Sequence, residues 1–276
     1  MNRFVVFGLF ATLAAPIPPA SAVEPPSAAQ IITRSIAANE ADFNQAPNYA
    51  WIERDAEKQH SSKATIKTSK VFMIDGSPYY ELIAQNDVPL SSGEQAEQER
   101  KLHLEIVKRE HESDRERSRR VAKYMRERNR DHAMLLEMGT AFEFTLTGET
   151  QLDGHDVWIM KAAPKPGYEP KTHETKVLTG MTGTLWIDKA TYQWVKVQAE
   201  VVHPVNFFGF IAKVYPGTQF TLEQEPVSEN VWLPKRFSMT VHAMALGFID
   251  ENSADEETYR DYRPAPKLTA ELTTGK

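Results

Sequence analysis

The chain has 276 residues, 41% of them hydrophobic and 10% aromatic, enough apolar material for one large globular domain. Lys and Arg number 32 against 38 Asp and Glu, and this net charge of −6 argues against a nucleic-acid binder. Cysteine is absent, which excludes disulfides, thiolate metal sites, iron–sulfur clusters, thiol nucleophiles and a lipidated cysteine anchor.

The chain starts like an export signal. Asn2 and Arg3 precede an apolar run from Phe4 to Ala15 that carries no charge and whose one polar side chain is Thr12, then a proline-rich stretch and Ala20-Ser21-Ala22. That is the order of a secretory signal peptide over residues 1–22, with cleavage expected after Ala22. The run is too short to span a bilayer, and no later stretch reaches the roughly 18 apolar residues a spanning helix needs. An integral membrane protein is therefore not expected. A cysteine-free exported chain fits a bacterial periplasm or the secreted fraction. Residues 23–276 read as a single domain.

Ser27 reads as an N-cap, and Ile31, Ile32 and Ile36 recur at helical spacing, which predicts a helix to Asn39. Tyr49–Arg54, Lys63–Ile74 and Tyr79–Ala84 read as strands, the last two joined by an Asp75-Gly76 hairpin turn. Residues 91–137 hold no proline and are rich in Glu, Arg, Lys and Gln, a charged helical insertion. Ser113 with Glu116 has the spacing of a capping box, so the segment reads as two helices or as one with a solvated middle. From Ala141 the hydrophobic period becomes two. Strands are expected around Phe142–Leu146, Val157–Ala162, Thr182–Asp188, Tyr192–Val202, Thr218–Gln224, Val231–Val241 and Thr258–Arg263. The class is α+β: a large curved antiparallel sheet, a half-barrel, wrapping a few helices.

Alternation places Val195, Val197, Ala199 and Val201 on one face of their strand, and Leu185 and Ile187 opposite Thr184 and Trp186. An apolar sheet face needs a cover of helices or a ligand, and the helices here are few and polar. Leu185, Ile187, Val195, Val197, Phe220 and Met239 are thus candidate linings of a hydrophobic cavity. Phe207, Phe208 and Phe210 lie in an apolar cluster between Pro204 and Pro216, which reads as a core edge or as a lip at the cavity mouth.

Catalytic signatures are missing. The eight histidines are scattered without an H-E-x-x-H pair, and there is no nucleophile elbow, Walker loop or dinucleotide fingerprint. The acidic cluster Asp250–Glu257 lacks the glycine of a calcium loop. No metal, no cofactor and no enzyme activity are expected. Residues 108–130 carry ten Lys or Arg against five acids. They read as a solvated, i,i+4-paired helix, or as a patch for anionic headgroups or for an envelope protein partner.

Several segments resemble a group of uncharacterised exported bacterial proteins near the lipoprotein-carrier (LolA/LolB-like) superfamily. They are Gly76-Ser77-Pro78-Tyr79, Trp158-Ile159 with Pro164–Tyr168, Gly183–Asp188, Trp194–Val197 and Val231–Pro234. The resemblance implies a half-barrel around a hydrophobic cavity, and hence a periplasmic carrier-like protein that takes lipid or lipoprotein acyl chains. It brings no catalytic motif. The charged helical arm leaves a second expectation, a non-catalytic envelope interaction or sensor module.

Overall fold

The computed structural model describes residues 24–60, 62–207, 212–246 and 249–266. The signal segment 1–22, its cleavage after Ala22, and Phe208 and Phe210 lie outside the described residues.

Helix α1 (Ala28–Gln45) opens on Ser27, whose hydroxyl accepts from the Gln30 amide while the Gln30 side chain accepts from the Ser27 amide. It continues past the expected Asn39 for nearly two turns. Strands β1 (Tyr49–Gln59), β2 (Thr65–Ile74) and β3 (Ser77–Gln85) follow, then the two-residue β4 (Val88–Pro89). Asp75 and Gly76 carry φ of +47° and +86°, the left-handed pair that a tight hairpin requires. The charged segment is two helices, α2 (Ser92–Glu110) and α3 (Asp114–Ala141). Each opens on a capping box, Ser91 with Glu94 and Ser113 with Glu116. Eight longer and shorter strands come next: β5 (Phe142–Leu152), β6 (His155–Pro164), β7 (Met181–Asp188), β8 (Trp194–Val201), β9 (Val205–Phe207), β10 (Ala212–Val214), β11 (Gln219–Ser228) and β12 (Val231–Val241). β13 (Ala243–Ala245), β14 (Ile249–Asp250) and β15 (Ser253–Pro264) complete the order, and a 3-10 segment, Glu174–Gly180, precedes β7.

Eleven strands form one open antiparallel sheet in the order β4-β3-β2-β1-β15-β12-β11-β8-β7-β6-β5. This is the expected α+β class. A separate four-stranded sheet, β14-β13-β10-β9, carries the Phe207 segment. Directly opposed residues share a face, so the register traces what each face presents. One row runs Lys67–Asp55–Glu257–Phe237–Leu222–Val197–Leu185–Met160–Leu146. The face is charged on β2, β1 and β15 and becomes apolar at β12. The polarity the sequence assigned to two faces of the sheet is thus also divided along one of them.

The apolar half of that inner face is covered by α1, through Ile31, Ile32 and Ile36, and by the end of α3, through Met134, Leu135 and Met138. α3 reaches both β3 and β5, so it spans the sheet between its two sides. α2 lies on the opposite face, where Leu102 and Ile106 pack on Ala50, Phe72, Ile74 and Tyr79. The two charged helices therefore hold the β2–β3 hairpin between them. Arg109, 7% exposed, donates to the carbonyls of Ile74 (2.7 Å) and Ser77 (2.9 Å) and pairs with Glu105. Arg120 pairs with Glu112 and donates to the Ser77 hydroxyl at 2.8 Å. Val121 sits 3.2 Å above the place a Cβ would take on Gly76. The helical segment is docked by its own charges rather than projecting as an arm.

Candidate functional site

Between the end of α3 and the sheet lies a void of about 60 Å3 whose wall is apolar. Met134 and Met138 close it from α3, and Leu185, Val197 and Phe220 form its floor on β7, β8 and β11. Phe142, Leu178 and Met181 also line it. Three of these side chains are methionines, unbranched and readily rearranged. The void is small beside the roughly 300 Å3 and more of a formed ligand pocket. In this conformation the protein fills the apolar half of the inner face with its own helices.

The structure brings together three of the candidate linings, Leu185, Val197 and Phe220. Ile187 is fully buried in the same core. Met239 lies directly opposite Phe220 on β12. Val195 goes elsewhere. A bulge between Trp186 and Ile187 pairs Ile187 with Trp194, so Trp194 joins the inner core and Val195 turns outward onto Val157 and Trp232. Strict alternation put these two side chains on the wrong sides. Phe207 lies in β9 of the small sheet. Met134 and Met138 were missed, although their i,i+4 spacing in a polar helix is a legible signal.

The seat of α1 is unusual. Ser35, Asn39 and Asp42, one helical face, are 0%, 4% and 2% exposed. Asp42 accepts from the Trp232 amide at 3.2 Å. The Ser35 hydroxyl, Asn39 Oδ1 and Gln193 Oε1 are buried among the described residues without a hydrogen-bond partner, and the second Asp42 oxygen has only the approach of the Gln193 side chain. Each such group costs on the order of 1–3 kcal/mol. Burial pushes the Asp42 carboxyl up to about 6, with the Trp232 amide and Gln193 offsetting part of the effect. The apolar stripe of α1 is thus held to the sheet beside a polar stripe that opposes docking.

The charged half of the inner face is a cleft of about 360 Å3 lined by Glu53, Asp55, Lys67, Ser69 and Tyr80. Burial raises Glu53 to about 7; the Trp51 indole, donating at 3.1 Å, works against this, and Glu257 and Asp55 reinforce it. Among the described residues no group of three or more His, Asp or Glu is arranged to hold a metal ion. A His–Asp pair with a nearby hydroxyl, His155 and Asp188 at 3.2 Å, is a turn fixture. Asp188 also accepts from the amides of Ala190 (2.9 Å) and Thr191 (2.7 Å) and from the Thr191 hydroxyl (2.8 Å). Its carboxylate shapes the β7–β8 connection.

No protein-family model and no curated protein matches the sequence. Among solved structures the chain is similar to a LolA superfamily protein from Nitrosomonas europaea, at 9% identity over 90% of this chain and 98% of that one, TM-score 0.35. It is also similar to a DUF1329 family protein from Desulfovibrio piger, at 11% identity over 88% of this chain and 95% of that one, TM-score 0.34. Among the described residues, no helix is long and apolar enough to cross a membrane.

Proposed function

We propose that the protein is a periplasmic, non-catalytic binder of a hydrophobic ligand, lipid or lipoprotein acyl chains, held on the apolar half of the inner face. The observation that carries this reading is the apolar void between Met134, Met138 and the Leu185–Val197–Phe220 floor, under a helical cover. A void of about 60 Å3 takes only the tip of an acyl chain, so entry of a chain lifts the end of α3 or α1 from the sheet. The methionines can re-pack around what enters, and the unpaired polar groups under α1 lower the cost of lifting it. Each methylene then buried contributes about 0.8 kcal/mol. The export signal expected in residues 1–22 is consistent with such a binder between two membranes, where acyl chains need a cover to cross water. Native mass spectrometry of the protein purified from a lysate that contains membranes tests this. Bound lipid masses are expected, and a species free of lipid under conditions that keep known lipid complexes intact would overturn the reading.

A further inference from the structure

The basic residues of α3 divide into those the fold uses and those it leaves outside. Arg120 is spent on Glu112 and the β2–β3 hairpin, Arg117 approaches Asp75 at 3.8 Å, Arg128 lies over the Phe43 ring at 3.7 Å, and Arg130 acts on Glu174. Arg115, Arg119 and Arg126 are exposed and form no direct ion pair among the described residues, Arg119 acting on the capping Glu116 only at longer range. Their spacing of four and seven residues puts all three on one side of the helix, over about 16 Å of its length. Lys123 borders this stripe.

The acids of the same stretch lie elsewhere on the helix. Asp114, Glu116 and Glu127 fall about a quarter turn or more from the stripe axis. Glu116 is tied to Ser113 as the cap, and Glu127 faces Lys123 at 3.9 Å. The interleaving of signs seen in the sequence is thus resolved in three dimensions into a face that is basic throughout. On its other flank stand two large exposed apolar side chains, Met125 at 40% and Leu136 at 45%.

We propose that this outward face of α3 docks onto an anionic lipid surface. A helix that is basic along its outer side, with apolar side chains at the border, suits the headgroup region, where cations meet phosphates and the apolar groups enter the acyl boundary. A protein partner fits less well, because a stable protein interface packs around a broad apolar centre, whereas this face is a single stripe of cations about 16 Å long with its apolar side chains only at the border. The proposal stands apart from what the inner face binds, since none of Arg115, Arg119 and Arg126 lines the void.

The test is co-sedimentation of the purified full chain with vesicles of phosphatidylcholine alone and of phosphatidylcholine with phosphatidylglycerol. Binding is expected only to the anionic vesicles, and it should weaken strongly between about 0.05 M and about 0.5 M salt. The triple variant Arg115→Gln, Arg119→Gln, Arg126→Gln should lose about 100-fold in partitioning at low salt, from roughly fivefold per charge. All three side chains point to solvent, and an unchanged circular dichroism melt keeps the comparison clean. Equal binding to both vesicle types, no binding at low salt, or full binding by the triple variant would each overturn the proposal. Retention of the chain by acidic protein but not by anionic vesicles would overturn it in favour of a protein partner.

Discussion

Replacing Asp42 by Asn isolates the strain under α1. Asp42 is 2% exposed, and its carboxyl is raised from 3.8 to about 6, chiefly by burial. A raised acid favours the protonated folded state. Its contribution to stability is therefore fully present below the ordinary value of 3.8 and is lost as pH rises through about 6. The shift corresponds to about 3 kcal/mol between the two ends of that window. An amide in the same place keeps an oxygen for the Trp232 amide and carries no charge to desolvate. Urea unfolding at about pH 8 should then show Asp42→Asn more stable than the parent by about 2–3 kcal/mol, and at about pH 4 the two should nearly coincide. A variant less stable than the parent at both pH values would refute the reasoning. It would mean that the charged carboxylate is a favourable fixture of α1 and that the helix is firmly seated.

Arg109→Gln should cost about 2–3 kcal/mol in the same assay, because the Ile74 and Ser77 carbonyls and Glu105 lose a buried cation together. A loss below about 1 kcal/mol would show that α2 does not depend on the clamp. Gly180→Ala should lower the melting temperature through a loss of about 1–3 kcal/mol. Its Cβ would stand 2.4 Å from the His203 carbonyl oxygen and 2.5 Å from Val205 Cγ2, and an unchanged melt would contradict so close a backbone approach.

The features legible in the sequence were those with local causes. Asp75-Gly76 marked its hairpin because few other residues accept two successive left-handed conformations, and Ser113 with Glu116 marked the break between α2 and α3 because the cap is built within one turn. The end of α1 was placed too early because Ser35, Asn39 and Asp42 look like a solvent face. Their burial arises from β12 and Gln193, about 150 residues or more away in the chain. β1 runs on to Gln59 through charged residues because β2 and β15 pair with it on either side; no hydrophobic alternation announces that part. The candidate cavity was half legible. Leu185, Val197 and Phe220 follow from alternation, whereas Val195 fails at a bulge that depends on how β8 pairs with β7. The division of the inner face into charged and apolar halves is a property of strand order, which places β15 between β1 and β12.

The central claim is that the apolar floor under α1 and α3 is a seat for acyl chains. Calorimetric titration with a homologous series of straight-chain alkyl carboxylates, kept below micelle formation, measures it most directly. The account predicts that binding tightens by about 0.8 kcal/mol, roughly fourfold, for each added methylene until the seat is full. It also predicts that Val197→Lys, which puts a charge into the floor, abolishes this dependence while Val195→Thr, on the outward side of the bulge, keeps it. An affinity that does not change with chain length, or no binding at any length, would contradict the account.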